Sequence, residues 1–431
     1  MSTTELGPTF FLAVVVILVT CRITALCLRR LGQPPVVGEM VAGVLLGPSA
    51  LGALAPGVQD ELFPDALRPV LFVAGQIGLV IFMFQAGYDL RADRIRPVAR
   101  AAGAISVAGM VVPLALGTGL TWAAHDAVDI LPEGASLPVA CLFVGVTLAI
   151  TAFPMLARII TERGLTGTRF GSISLAAGAL DDAVAWVLLA GVLSLSQDSA
   201  GPFTKAVLGT LGLALLLALL LRAREPIARR LDGLAPEAVL LVTVLTLFLA
   251  AWYTDTIGLY AVFGAFSLGV VFPRSAAVDR AVGSIAPVGQ LVFLPLFFTY
   301  SGLNTDFGLL TGSALLLLTA GCVAAAIVGK FGACWLTARA LGEERGVALR
   351  VGTLMNARGL MQLIAINVGL AAGIVSPRMF SMLVVVALVT TLMATPLLSL
   401  WDHLERRAGP PARGPGEPLR EVAPKAAEKG P

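Results

Sequence analysis

Two adjacent carboxylates, Asp181 and Asp182, sit in the middle of an apolar run from about residue 170 to 195. That run is long enough to cross a bilayer. An Asp at the centre of a transmembrane helix costs about 2.5–3.5 kcal/mol even on insertion scales, and intramembrane acids mark ion paths and proton relays. A carboxylate in a cavity suits both a proton and a hard monovalent cation. Competition of the two for one carboxylate is enough to couple their fluxes in exchange. Successive helical residues point about 100° apart, so the two acids face different ways and have different jobs.

Other polar groups at membrane depth fall in three places. The stretch V-T-L-A-I-T-A-F-P-M-L-A-R-I, residues 146–159, carries Thr147, Thr151 and Pro154. Pro154 lacks a backbone donor and disfavours helix at the residue before it. The stretch L-M-N-A-R-G-L-M-Q, residues 354–362, interrupts a second apolar segment with Asn356, Arg358 and Gly359. Broken helices are tolerated in a membrane where they line a polar cavity, and they bring helix ends and bare carbonyls to ions. Lys330, within A-A-A-I-V-G-K-F-G, lies where snorkelling to water is difficult. With Asp181 and Asp182 read as the sole deep carboxylates, one of them can face Lys330 while the other faces a cavity. Desolvation and a like neighbour push a carboxylate pKa up, and an ammonium pulls it down.

The elements that must hold these groups are membrane helices. Hydrophobic residues make up 57% of the 431-residue chain and charged residues 13%, about half the charged share of a soluble domain. Mean hydropathy is +0.89. The sequence therefore predicts an all-α polytopic membrane protein and excludes a soluble enzyme. A net charge of +3 gives no reason to expect a nucleic-acid partner. Apolar runs predict roughly thirteen transmembrane helices, near 8–29, 35–55, 68–89, 97–122, 136–161, 169–196, 203–223, 236–254, 257–273, 284–302, 310–340, 347–372 and 377–401. One set of alternate loops holds Arg29 and Arg30; Arg91, Arg94, Arg96 and Arg100; Arg158, Arg163 and Arg169; Arg222, Arg224, Arg229 and Arg230; Arg274 and Arg280; Arg339, Arg345 and Arg350. The opposite set holds only Arg68, Lys205 and Arg378, beside acids such as Asp60, Glu61, Asp65, Asp126, Asp129 and Glu133. The positive-inside rule then puts the N-terminus outside and the C-terminus in the cytoplasm.

The broken spans are the fifth and the twelfth. Helices seven apart run in opposite directions, as in an inverted repeat of six plus six with a connector. The expected organisation is a transmembrane domain over 1–401, with a first repeat at 8–196, a connector at 203–223 and a second repeat at 236–401. A disordered cytoplasmic tail is expected at 402–431, rich in Pro, Gly and charge. Glu39 reads as a residue near the cytoplasmic entrance, either lining an ion path or serving packing or the interface, and Asp89 as one at the membrane boundary. His125 and His403 read as a loop and a tail residue, weak as pH sensors. The cysteines Cys21, Cys27, Cys141, Cys322 and Cys334 read as buried small hydrophobes. No nucleotide-binding pattern occurs, so no cofactor is expected.

The segments T-A-F-P-M-L-A-R at 151–158, A-L-D-D-A-V-A-W at 179–186, Gly329–Lys330, M-N-A-R-G-L at 355–360 and P-P-V-V-G-E-M-V-A-G-V-L-L-G-P-S at 34–49 resemble the monovalent cation:proton antiporters. The similar branch holds bacterial Na⁺/H⁺ and K⁺/H⁺ exchangers and plant cation/H⁺ exchangers. The resemblance covers nearly the whole membrane portion. It implies the Na⁺/H⁺ antiporter fold, with two crossed broken helices, a six-helix core moving like an elevator, and a dimerisation scaffold in a homodimer of the plasma membrane. By motif position it makes Asp182 the cation- and proton-carrying acid, Thr151 a polar neighbour at the helix crossover and Asp181 the variable member. An Asp at 181 with Lys330 resembles the electrogenic exchangers. Gln362 departs from the plant relatives, which usually carry Glu there.

The sequence thus predicts a secondary active antiporter exchanging Na⁺, or K⁺ or Li⁺, for protons. Asp182 and Asp181 would hold the ion, with Thr151 adding an oxygen ligand and Lys330 pairing with Asp181 until the cation binds. Pro154, Asn356 and Arg358 would shape the crossover. Alternatives are an electroneutral K⁺/H⁺ antiporter and an ion-coupled symporter of an organic anion held by Lys330 and Arg358. A channel finds no filter sequence to support it.

Overall fold

In hydrocarbon every backbone polar group must be bonded within its own segment or closed sheet, and this chain answers with helices. The structure is a computed structural model describing residues 3–30, 32–33, 35–89, 96–128, 131–132, 134–196 and 201–408. No strand occurs among the described residues. In chain order the helices are α1 (Thr3–Arg29), α2 (Pro35–Leu46), α3 (Pro56–Leu62), α4 (Arg68–Asp89), α5 (Ala99–Ala124), α6 (Leu137–Ala149), α7 (Phe153–Glu162), α8 (Arg169–Ser196) and α9 (Gly201–Asp232). They continue as α10 (Pro236–Thr256), α11 (Ala261–Val271), α12 (Ala276–Val288), α13 (Leu294–Leu303), α14 (Ser313–Ile327), α15 (Ala333–Ala340), α16 (Arg345–Met355), α17 (Leu360–Ala371) and α18 (Pro377–Ala408). Among the described residues, 10 helical spans are long and apolar enough to cross a membrane. Shorter apolar helices at α6, α11 and α17 occupy the fifth, ninth and twelfth expected intervals.

These helices sort into two packed groups. One consists of α5, α6, α7, α8 and α14 to α18; the other of α1, α2, α4 and α10 to α13. Along the chain the order is second group, first group, α9, second group, first group, so the three-plus-three pattern is repeated on either side of α9. The groups meet thinly where α2 and α4 touch α7 and α13 touches α17. Among contacts inside the second group, α2 and α13 approach closely enough that Gly43 and Gly302 face each other backbone to backbone. On the arginine-rich face, Arg169 binds Glu343 at 2.6 Å, and Arg350 binds Asp402 and Glu405, each at 2.7 Å. These pairs staple α8 to the turn after α15, and α16 to α18.

Several expectations shift. The connector expected at 203–223 is α9, which runs on to Asp232 and carries Arg222 to Arg230 on a helical extension rather than a loop. The last helix passes the expected boundary at 401 and reaches Ala408, so His403 is helical. Its terminal turns persist because Asp402 and Glu405 are held by Arg350. Cys27 is exposed, unlike the other four cysteines. Arg91, Arg94, Asp129, Glu133 and residues 409–431 lie outside the described residues.

Candidate ion-binding site

Two helix breaks build the site. Helix α6 stops at Ala149 because Ile150 turns extended, with ψ 130°, and the next helix begins only at Phe153, with Pro154 in its first turn. Helix α16 stops at Met355, and Gly359 takes φ 141° before α17. That backbone region is open to glycine and closed to residues with a Cβ. The two linkers cross: the Ala152 N–H donates to the Ala357 carbonyl at 3.3 Å.

Each break leaves a helix C-terminus with bare carbonyls at membrane depth, a site that favours cations. At the end of α6, Lys330 Nζ donates to Ala149 O at 2.6 Å and Arg358 Nη1 donates to Thr147 O at 3.1 Å. At the end of α16, the Thr151 hydroxyl lies 3.2 Å from Met355 O. Lys330 reaches its position from a π-helical turn, Val328–Gly332, between α14 and α15. Such turns recur at functional sites. Gly109 of α5 leaves room for the neighbouring Cys334 of α15: a Cβ there would meet the Cys334 Sγ at 2.6 Å, whereas the Lys330 ammonium would be at ordinary contact distance.

Helix α8 brings the acids to this crossing. Asp181 Oδ2 accepts from Lys330 Nζ at 2.6 Å and from the Thr151 hydroxyl at 2.7 Å. Both members of the ion pair are 0% exposed. Asp182, one residue on, turns away from this cluster, as the 100° step requires. It lines a narrow cleft with Ile150, Ala185, Trp186, Leu189 and Met361. Its Oδ1 is buried without a hydrogen-bond partner among the described residues.

The structure therefore brings Asp181, Lys330, Thr151, Arg358 and the break at Pro154 together. Thr151, expected as a polar neighbour at the crossover, stands there on the extended linker and is bonded to Asp181, on the Lys330 side of α8. Asn356 is buried with its amide against Met393 Sδ at 3.7 Å, and Gln362 donates to Leu383 O at 3.3 Å. Neither reaches the acids by a hydrogen bond.

Sequence reasoning missed a third buried carboxylate. Glu39 of α2 is 7% exposed and accepts both ends of the Arg158 guanidinium at 2.8 Å. Arg158 Nε also donates to Glu162 at 2.8 Å. The reading of Asp181 and Asp182 as the sole deep carboxylates, and of Arg158 as a loop base, is corrected accordingly. The i, i+4 spacing of Arg158 and Glu162 was the available signal that this arginine continues a helix.

A fold of crossed broken helices around buried acids can be matched against known proteins. The family model described as sodium/hydrogen exchanger, transmembrane, matches residues 14–401. The chain belongs to the sodium/hydrogen exchanger family. Among curated members, the Na⁺/H⁺ antiporter NhaS4 of Synechocystis sp. is 35% identical, over 89% of this chain and 95% of its own. Cation/H⁺ antiporter 17 of Arabidopsis thaliana is 34% identical over 91% of this chain and 48% of its own. The K⁺/H⁺ antiporter 1 of Saccharomyces cerevisiae is 30% identical over 91% of this chain and 46% of its own. The chain thus spans about half the length of these plant and yeast members. The solved structure of the sodium proton antiporter MjNhaP1 from Methanocaldococcus jannaschii aligns over 93% of this chain and 98% of its own, with a TM-score of 0.59 at 16% identity. It has the same fold.

Proposed function

We propose that this exchanger-family protein is a cation:proton antiporter in which Asp182 carries the cation and the proton in turn. One observation carries the reading. Asp182 is a buried carboxylate whose Oδ1 has no hydrogen-bond partner among the described residues, beside a crossing where Lys330 is already committed to Asp181 and Ala149. A buried carboxylate needs a counter-cation or a proton, and here the medium must supply it. Because one group serves both, binding of either ion displaces the other.

Na⁺ is the first substrate by this reading, with K⁺ and Li⁺ the comparators. The K⁺ reading has its own support in the yeast relative, named a K⁺/H⁺ antiporter. The acid at 181 paired with Lys330 supports electrogenic exchange, with Asp181 released to the ion when the pair opens. Thin contact between the two helix groups supports elevator-type movement of the α5–α8 and α14–α18 group against the other. By the positive-inside rule the arginine-rich face lies in the cytoplasm, and a homodimer of the plasma membrane completes the reading.

The test is exchange in proteoliposomes with Na⁺, K⁺ and Li⁺ compared at several pH values and with a membrane potential imposed. Asp182→Asn is expected to abolish cation-driven dissipation of a proton gradient. Retained flux in that variant overturns the assignment of Asp182, and a rate indifferent to potential overturns the electrogenic reading.

A further inference from the structure

The cleft that holds Asp182 is narrow, and the residue is 2% exposed. A second, open cavity of about 410 Å³ lies next to it, lined by Lys205, Asp255, Tyr260, Trp186, Leu189 and Leu193 among others. Trp186 and Leu189 belong to the walls of both. Lys205 and Asp255 stand at the start of α9 and the end of α10, on the face opposite the arginine-rich one. The open cavity is therefore a vestibule that runs from that face down to the ring of Trp186 and stops there.

What stops it is an aromatic pair. The rings of Trp186 and Tyr260 stack with centroids 5.2 Å apart and an interplanar angle of 20°. They come from different helix groups: Trp186 from α8, four residues after Asp182 and so on its face of the helix, Tyr260 from the N-cap of α11. Gln76 of α4 hydrogen-bonds the Tyr260 hydroxyl and ties that ring to its own group. Two further features set the pair apart from ordinary packing. Tyr260 is the only non-glycine with positive φ among the described residues, at 68°, a conformation disfavoured for an aromatic residue. The Trp186 indole N–H is buried without a hydrogen-bond partner among the described residues, although buried indoles usually find one.

We propose that the Trp186–Tyr260 stack is the gate between the vestibule and Asp182. With the rings together, Asp182 is sealed from the face that carries Lys205 and Asp255. When one helix group moves against the other, the rings part, cleft and vestibule become one space, and a hydrated cation or a proton reaches the carboxylate between the ring faces. This rests on the reading of Asp182 as the ion-carrying group.

Side-specific thiol labelling tests it. In a background with the native cysteines replaced by alanine or serine, Leu193→Cys places a thiol in the vestibule and Ala185→Cys places one in the Asp182 cleft. A charged, membrane-impermeant methanethiosulfonate is applied to each face of oriented vesicles. Leu193→Cys is expected to react from one face only, whatever the state of the stack. Ala185→Cys is expected to react slowly while both rings are present. Tyr260→Ala is expected to speed that reaction, from the same face, by at least about fivefold, the equivalent of about 1 kcal/mol of ring pairing. Trp186→Leu is expected to do the same and serves where Tyr260→Ala does not fold, whereas Trp186→Phe keeps a ring and the slow rate. Ala185→Cys labelling that is already as fast as that of Leu193→Cys, or that is unchanged by loss of either ring, overturns the gate. Labelling requires no transport, so it reads the gate separately from the exchange assay of Asp182→Asn.

Discussion

Replacing Lys330 with methionine removes a charge while keeping an unbranched side chain of similar length, so the packing loss is small. What the change leaves behind is the Asp181 carboxylate, 0% exposed, with the Thr151 hydroxyl as its remaining donor, and an uncovered carbonyl at Ala149. Removing one partner of a buried ion pair costs about 3–5 kcal/mol, because the other charge stays buried. The penalty should therefore be about 3–5 kcal/mol. Asp181→Asn together with Lys330→Met removes both charges and should recover most of the loss.

The assay is reversible unfolding in mixed micelles with increasing dodecyl sulfate, followed by circular dichroism, for the protein, both single variants and the double variant. The four free energies give a coupling term of at least about 2 kcal/mol if the pair is a buried, desolvated contact. A Lys330→Met variant as stable as the parent would refute the reasoning. So would a double variant no more stable than Lys330→Met. Each would mean that water or another cation reaches Asp181, against its complete burial.

Two other changes probe the helix groups by the same unfolding assay. Arg158→Met leaves Glu39 and Glu162 facing each other without a cation and should cost about 3–5 kcal/mol, whereas Glu39→Gln leaves the Arg158–Glu162 pair intact and should cost less; the opposite order would show that the bond to Glu39 dominates. A Cβ at Gly302 would collide with the Gly43 backbone, so Gly302→Ala should destabilise by about 1–3 kcal/mol. Gly119→Ala in α5, with nothing within 4 Å of its Cβ, should be neutral or stabilising by up to about 1 kcal/mol, and equal effects at the two glycines would show that α2 and α13 give way.

Asp181, Asp182 and Lys330 stand out in the sequence because a charge in an apolar run has no cheap explanation, and Pro154 and Gly359 mark the breaks because each enforces a backbone conformation. The partner of Lys330 could not be read from the helix alone. A step of 100° between the two acids says that they diverge, not which one meets α14 and α15; that depends on the π turn at Lys330, a product of packing. Glu39 and Arg158 are 119 residues apart, and each resembles a boundary residue in its own segment, so nothing local joins them. Helix ends were misjudged at α9 and α18 because hydropathy reports where a chain leaves the membrane, whereas a helix continues as long as its charged turns find partners.

The two buried ion pairs differ in a way that bears on transport. Asp181, Lys330, Thr151 and Ala149 all belong to one helix group, so movement of that group as a body carries the cluster along unchanged. Glu39 and Arg158 belong to different groups, on α2 and α7, and the same movement must strain or part them. Asp182 and Trp186 lie one turn apart on α8, and Trp186 stacks on Tyr260 of the other group. Displacement of α8 therefore moves the carboxylate and the ring against Tyr260 in a single step. Under the proposed mechanism, exposure of the site and opening of its gate are one motion rather than two coupled ones, and the Glu39–Arg158 bond resists that motion from the opposite face.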